Sequence, residues 1–140
     1  MQMNMTIKPT TNRILIADDD SVVRHVVTSI VEKLGYRPVV LNDGREAWRL
    51  LKADSDFKAA ILDMSMPFLE GIDLIRYMRT EKRLMRIPIM MISGEHDIKL
   101  MADSFAAGAA AFLPKPFTPE QLQTALRMLV SSRISDRRAA

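Results

Sequence analysis

Five short apolar runs recur along the chain, and each is followed by a stretch with helical periodicity. The runs are Arg13-Ile-Leu-Ile-Ala17, Arg37-Pro-Val-Val-Leu41, Ala59-Ala-Ile-Leu-Asp63, Ile87-Pro-Ile-Met-Met-Ile92 and Ala111-Phe-Leu113. They lack the apolar–polar alternation of a half-exposed strand, so each reads as a strand covered on both faces. Strands separated by helices pair in parallel through right-handed crossovers. The expected fold is therefore α/β, a doubly wound five-stranded parallel sheet in a single domain.

The helical stretches carry the matching signals. From Ser21, Val22, Val23, Val26, Val27, Ile30, Val31 and Leu34 form one stripe that stops at Gly35, a C-terminal cap. Asp20 or Ser21 is expected to cap this helix. A second helix covers Asp43 to Ala53, capped by Asn42 or Asp43. A third covers Gly71 to Glu81, and a fourth runs from Asp97 to Ala107 and ends at Gly108. The last spans Pro119 to Val130, with Thr118 as cap and proline at its first position. Pro38 places the second strand at a sheet edge.

Composition narrows the chemistry. The 140 residues contain no cysteine, which removes disulfides, thiolate metal sites and cysteine nucleophiles. No apolar run reaches the ~20 residues of a membrane helix, and Met1 to Asn12 lacks the apolar core of a secretory signal. The reading is a cytoplasmic protein without membrane contact. Formal charge is +3. Arg133, Arg137 and Arg138, less Asp136, supply +2 of it, so the body lacks the basic stripe of a nucleic-acid binder. His25 and His96 have no partner at metal-ligand spacing. His25 reads as a surface residue, and Trp48 as core packing or partner surface.

Polar residues gather where the strands end. Asp18 and Asp19 follow the first strand, Asp63 ends the third, Ser93 follows the fourth and Lys115 follows the fifth. Ligands of open parallel sheets bind beyond these carboxyl ends, where strand order reverses. Carboxylates ~5 Å apart at an effective dielectric of ~20 repel by roughly 3 kcal/mol. Such a cluster needs counter-charge. Lys115 supplies one positive charge and a hard divalent cation such as Mg²⁺ would supply the rest. Acids, a lysine and a hydroxyl around a cation are equipped for phosphoryl transfer, with one carboxylate as nucleophile.

At this point the residues resemble the receiver domain of two-component response regulators, of the stand-alone chemotaxis-regulator kind. The matching pieces are Ile-Leu-Ile-Ala-Asp18-Asp19-Asp20-Ser21-Val-Val-Arg24, Ile61-Leu-Asp63-Met-Ser-Met-Pro67-Phe-Leu-Glu-Gly71, Ile-Ser93-Gly94-Glu95 and Leu113-Pro-Lys115-Pro116-Phe117. They cover about residues 13–130, with residues 1–12 as a flexible leader and 131–140 as a flexible tail.

The resemblance implies strand order 2-1-3-4-5, a flavodoxin-like sheet. It implies Asp63 as phosphoacceptor and Mg²⁺ held by Asp18, Asp19, Asp63 and the backbone carbonyl of Ser65. It implies Ser93 as switch hydroxyl, Lys115 as the phosphate-pairing lysine, Phe112 as switch aromatic and a cis bond before Pro116. Gly71 would permit a tight turn after the active loop. Ser93 stands where threonine is equally common, and Phe112 where tyrosine is frequent. The implied partners are a sensor histidine kinase or histidine phosphotransfer protein and a downstream protein target, with homodimerisation as a further outlet. The length leaves no room for an effector domain.

Two rivals use the same residues. A small haloacid-dehalogenase-type phosphohydrolase would place its nucleophile at Asp18, with Asp18-x-Asp20 as its motif. The spacing from Asp63 to Pro67 and Gly71, and Lys115-Pro116, oppose it. A phosphorylation-independent interaction module on the same fold would not need the complete set of acceptor groups present here.

Overall fold

The computed structural model describes residues 11–95 and 97–131. The leader apart from Thr11 and Asn12, the tail beyond Ser131, and His96 lie outside the described residues. Five strands, β1 (Arg13–Ala17), β2 (Arg37–Leu41), β3 (Ala59–Asp63), β4 (Ile89–Ser93) and β5 (Ala111–Pro114), alternate with α1 (Ser21–Lys33), α2 (Gly44–Ala53), α3 (Gly71–Arg79), α4 (Ile98–Ala107) and α5 (Pro119–Val130). All strand pairs are parallel, in the order β2-β1-β3-β4-β5. The expected doubly wound sheet is observed, with β2 at one edge.

The unbroken apolar runs are explained by the two layers they separate. Leu15, Ala60, Leu62, Ile89 and Met91 face one core, filled by Leu51 of α2 and Leu74, Ile75 and Met78 of α3. Ile14, Ile16, Ile61, Met90 and Ile92 face the other, filled by Val27, Ile30 and Val31 of α1 and Leu122, Leu126 and Leu129 of α5. Successive strand residues thus alternate between two apolar layers, and both faces demand large side chains. Trp48 is half-buried and packs against Tyr77, ring centroids 5.4 Å apart, joining α2 to α3.

Caps decide where the helices begin. Asp20 accepts from the N–H groups of Val22 and Val23 and opens α1. This cap offsets the weak intrinsic helicity of a valine-rich segment. Asp43 accepts from Glu46 N–H at 2.9 Å, while Glu46 Oε1 accepts from Asn42 N–H at 3.0 Å. Thr118 and Gln121 form a reciprocal capping box on α5. Gly35 and Gly108 close α1 and α4 with φ of 92° and 124°, angles that favour glycine.

Several boundaries differ from expectation. α3 stops at Arg79, two residues early, and a 3₁₀ turn follows at Lys82–Leu84. The Arg79 guanidinium donates to the carbonyls of Leu84, Met85, Ile87 and Gly108. These bonds satisfy carbonyls that a longer helix would leave elsewhere. β4 starts at Ile89, with Ile87 and Pro88 leading in, and β5 continues through Pro114.

Leu126 is fully buried, whereas Met128 on the same helix is 68% exposed. Leu126→Ala is expected to lower stability by about 2–5 kcal/mol and Met128→Ala by less than about 0.5 kcal/mol. Urea unfolding of the two variants measures the difference.

Candidate functional site

The sheet order reverses between β1 and β3. Their register pairs Ala17 with Leu62. One step further brings Asp18 and Asp63 abreast on adjacent strands. Both carboxylates are buried, at 2% and 4% exposure. Lys115, following β5, reaches across to both, with Nζ 3.3 Å from Asp63 Oδ1 and 3.4 Å from Asp18 Oδ2. Asp19 sits exposed at the rim, and carboxylate oxygens of Asp18, Asp19 and Asp63 lie within 4.8 Å of one another.

Backbone bonds hold this geometry. Asp18 Oδ1 accepts from Asp20 N–H at 2.8 Å, and Arg24 of α1 donates to the Asp18 carbonyl at 2.8 Å. The Lys115 N–H donates to the Ser93 carbonyl at 2.7 Å, which ties the lysine to the end of β4. The Lys115–Pro116 peptide bond is cis, as expected. Ser65 is exposed, two residues beyond Asp63, and its backbone N–H works to lower the Asp63 carboxyl.

The electrostatics follow from burial. Desolvation raises Asp63 to about 6, the neighbouring Asp18 charge adds to the rise, and Lys115 opposes it. Desolvation also raises Asp18, against the Asp20 N–H and Lys115. Burial works to lower Lys115, but the charges of Asp18 and Asp63 prevail and hold it above its ordinary value. One ammonium thus faces two buried carboxylates and a third at the rim. Asp18 Oδ2 is buried and meets the Lys115 ammonium at 3.4 Å, a long ion pair without hydrogen-bond geometry. A buried carboxylate oxygen held by one long ion pair, inside a cluster of hard oxygens, fits a small divalent cation.

Ser93 is buried at the end of β4, its Oγ accepting from Glu95 N–H at 3.0 Å. Asp97 caps α4, accepting from Lys99 N–H at 2.8 Å. Phe112 is half-buried on β5, opposite Met91, and packs into the core layer of α2 and α3, outside the acidic cleft. His25 is exposed on α1.

Gly71 plays a different part from the one expected. The tight turn after the active loop has its positive φ at Phe68, 71°. Gly71 instead opens α3 against β3, where a Cβ would collide with the Asp63 carbonyl and lie 2.9 Å from Met91 Sδ. Gly44 is similar, since a Cβ there would collide with the Leu69 carbonyl. Sequence reading missed Gly44, Arg45 and Phe68. Arg45 lies over the Phe68 ring, 4.0 Å from its centroid. The one available signal was a bulky Phe in a Pro-containing turn.

The doubly wound sheet and its acid-and-lysine cleft at the switch point define a receiver-type domain. The chain belongs to the response regulator receiver domain family, whose model matches residues 14–127. It is 34% identical to chemotaxis protein CheY1 of Helicobacter pylori, over 86% of this chain and 98% of that one. It is 33% identical to chemotaxis protein CheY-3 of Vibrio cholerae, over 81% and 88%. The structure of the V. cholerae chemotaxis regulator CheY4 superposes with a TM-score of 0.79 at 29% identity, covering 86% of this chain and 99% of that one. The receiver domain of the Pseudomonas aeruginosa sensor histidine kinase PA1611 superposes at 0.78 with 27% identity, covering 87% and 99%; it was solved with magnesium coordinated in its active-site cleft. Receiver domains are signalling switches of two-component systems. As a class they bind Mg²⁺ in this acidic pocket.

The raised Asp63 has a signed consequence. The folded state holds this proton more tightly than the unfolded chain. Its contribution to stability is full below about pH 4 and is lost as pH rises through 6. Asp63→Asn removes that loss. In EDTA at about pH 7.5 the variant is expected to exceed wild type by about 1–3 kcal/mol, and the gap to shrink by more than half at about pH 4.5. Urea unfolding across this range measures it, and added Mg²⁺ should narrow the gap at high pH.

Proposed function

We propose that the chain is a single-domain response regulator that accepts a phosphoryl group on Asp63 from a phosphohistidine. The donor is a sensor histidine kinase or a histidine phosphotransfer protein. The observation that carries this reading is the contact of Lys115 Nζ with both Asp63 and Asp18 at the sheet's switch point. The receiver domain spans residues 13–130, and the protein works in the cytoplasm. Among the described residues no helix is long and apolar enough to cross a membrane.

Each side chain has a defined task. Asp63 Oδ attacks phosphorus; an O–P bond forms, the N–P bond of the donor breaks and the imidazole leaves with its electron pair. The attacking group must be ionised, which the raised Asp63 favours only above about pH 6. Asp18, Asp19, Asp63 and the Ser65 carbonyl would hold Mg²⁺. When bound, the cation neutralises charge on the carboxylates and the phosphoryl oxygens. Lys115 follows a phosphoryl oxygen and balances its charge. Autophosphorylation from small donors and autodephosphorylation use the same groups.

Phosphorylation then draws the Ser93 hydroxyl away from Glu95 toward the new phosphoryl group and shifts Phe112 with it. The bistable element is the face of α4, β5 and α5. Ile98, Met101 and Phe105 form an exposed stripe at i, i+3 and i+7 on α4, and Ser104 is the only fully buried residue of that helix. Few anchors and an apolar outer surface suit a helix that moves and meets a protein target or a second copy of this chain.

Intact mass after incubation with acetyl phosphate tests the chemistry. A single phosphoryl adduct is expected with Mg²⁺ present, and none in EDTA or in Asp63→Asn. Lys115→Met should reduce adduct formation at least about tenfold, as loss of a positioned charge does in phosphoryl transfer. An adduct surviving in Asp63→Asn but lost in Asp18→Asn would transfer the nucleophile to Asp18.

A further inference from the structure

The turn between β3 and α3 carries Ser65, and its conformation is unusual for its sequence. Leu69 N–H donates to the Pro67 carbonyl at 2.8 Å, across a Phe68 with φ of 71°. This is a γ-turn in its strained, positive-φ form. A large side chain is disfavoured at that angle, where glycine or asparagine would sit without strain. The Phe68 ring is moreover 70% exposed. Its contact is Arg45, the second residue of α2, whose guanidinium carbon lies 4.0 Å from the ring centroid.

The same two segments meet beneath this contact. Gly44 allows the start of α2 to approach the Leu69 carbonyl too closely for any side chain. On the inner side, Met64 and Met66 are buried, Met64 N–H donates to the Ile92 carbonyl and Gly71 N–H to the Met64 carbonyl. The turn is thus fixed to β4 and α3 on its inner side and to α2 on its outer side. The outer anchor is a cation–π pair. Ser65 lies within the span so held.

We propose that Arg45 and Phe68 are positioning residues, whose stacked contact holds this turn and with it the Ser65 carbonyl, the backbone ligand of the proposed Mg²⁺ site. The inference rests on the metal site described under the proposed function. Fixing a ligand-bearing loop before the cation arrives is the role that residues outside the ligand set play in metal sites. Charge alone gives the opposite sign for one of the two residues. Removing the positive Arg45 near a cation site would tighten cation binding if the residue acted through its field. It weakens binding if the residue acts through the turn.

The test is calorimetric titration of the protein with Mg²⁺ alone, on wild type, Phe68→Gly, Phe68→Tyr, Arg45→Met and the Phe68→Gly/Arg45→Met double variant. Phe68→Gly suits the positive φ, so its melting temperature should equal or exceed that of wild type. Its Mg²⁺ Kd is nevertheless expected to rise about 3- to 10-fold, somewhat below the effect of removing a direct partner of a ligand. Arg45→Met should rise by a similar factor, the double variant by no more than either single one, and Phe68→Tyr should bind as wild type does. Amide exchange at Leu69 and Gly71 should quicken in Phe68→Gly and not in Phe68→Tyr. Unchanged Kd in Phe68→Gly, tighter binding in Arg45→Met, or additive effects in the double variant would each overturn the inference. No Mg²⁺ binding by wild type would instead overturn the metal site on which it rests.

Discussion

One ammonium faces two buried carboxylates, and the rest of the site follows from that imbalance. Asp18 and Asp63 lie abreast on neighbouring strands, out of water, and Lys115 reaches both at 3.3–3.4 Å. A single positive charge cannot compensate two negative ones, and Asp19 adds a third at the rim. Burial, with the Asp18 charge beside it, raises Asp63, and the buried Asp18 Oδ2 meets Lys115 as a long ion pair at 3.4 Å. Both features are relieved by a divalent cation. A site under this tension responds to ligand and to phosphate with large changes in local charge, as a switch requires.

The fold supplies the means of holding such a site. Parallel register between β1 and β3 brings the carboxylates together, and two apolar layers keep the strands from yielding to their repulsion. Gly71 lets α3 begin directly against the Asp63 carbonyl, so this carboxylate is backed by rigid backbone. The periphery is looser. α4 fully buries only Ser104 and presents Ile98 and Phe105 outward. Rigid chemistry beside a weakly anchored helix is the division of labour that transmits a local event to a distant surface.

Much of this was legible in the amino-acid sequence because its signals are local. Apolar runs without alternation announced buried parallel strands, and cap residues such as Thr118 with Pro119 marked helix starts. Strand ends located Asp18, Asp63 and Lys115, and the chain's place among receiver domains bears out the family resemblance. What stayed hidden depends on contacts between distant segments. The early end of α3 rests on Arg79 reaching carbonyls up to Gly108. The closeness of Gly44 to Leu69 and the stacking of Arg45 on Phe68 join α2 to a turn more than twenty residues away. The role assigned to Gly71 differed for the same reason. Glycine suggests a turn when read locally, whereas here it marks a close crossing of two backbones. Phe112, at the switch-aromatic position that the resemblance implies, is half-buried against the layer of α2 and α3.

The central claim is electrostatic, and the carboxyl carbon of Asp63 reports on it directly. Carbon-13 NMR titration of that carbon, first in EDTA and then in saturating Mg²⁺, gives its pKa in both states. The account requires a pKa of about 6 without the cation and a fall below the ordinary carboxylate value near 4 once Mg²⁺ is bound. A pKa near 4 in both conditions would contradict it, because the buried carboxylates would then carry no deficit for a cation to fill.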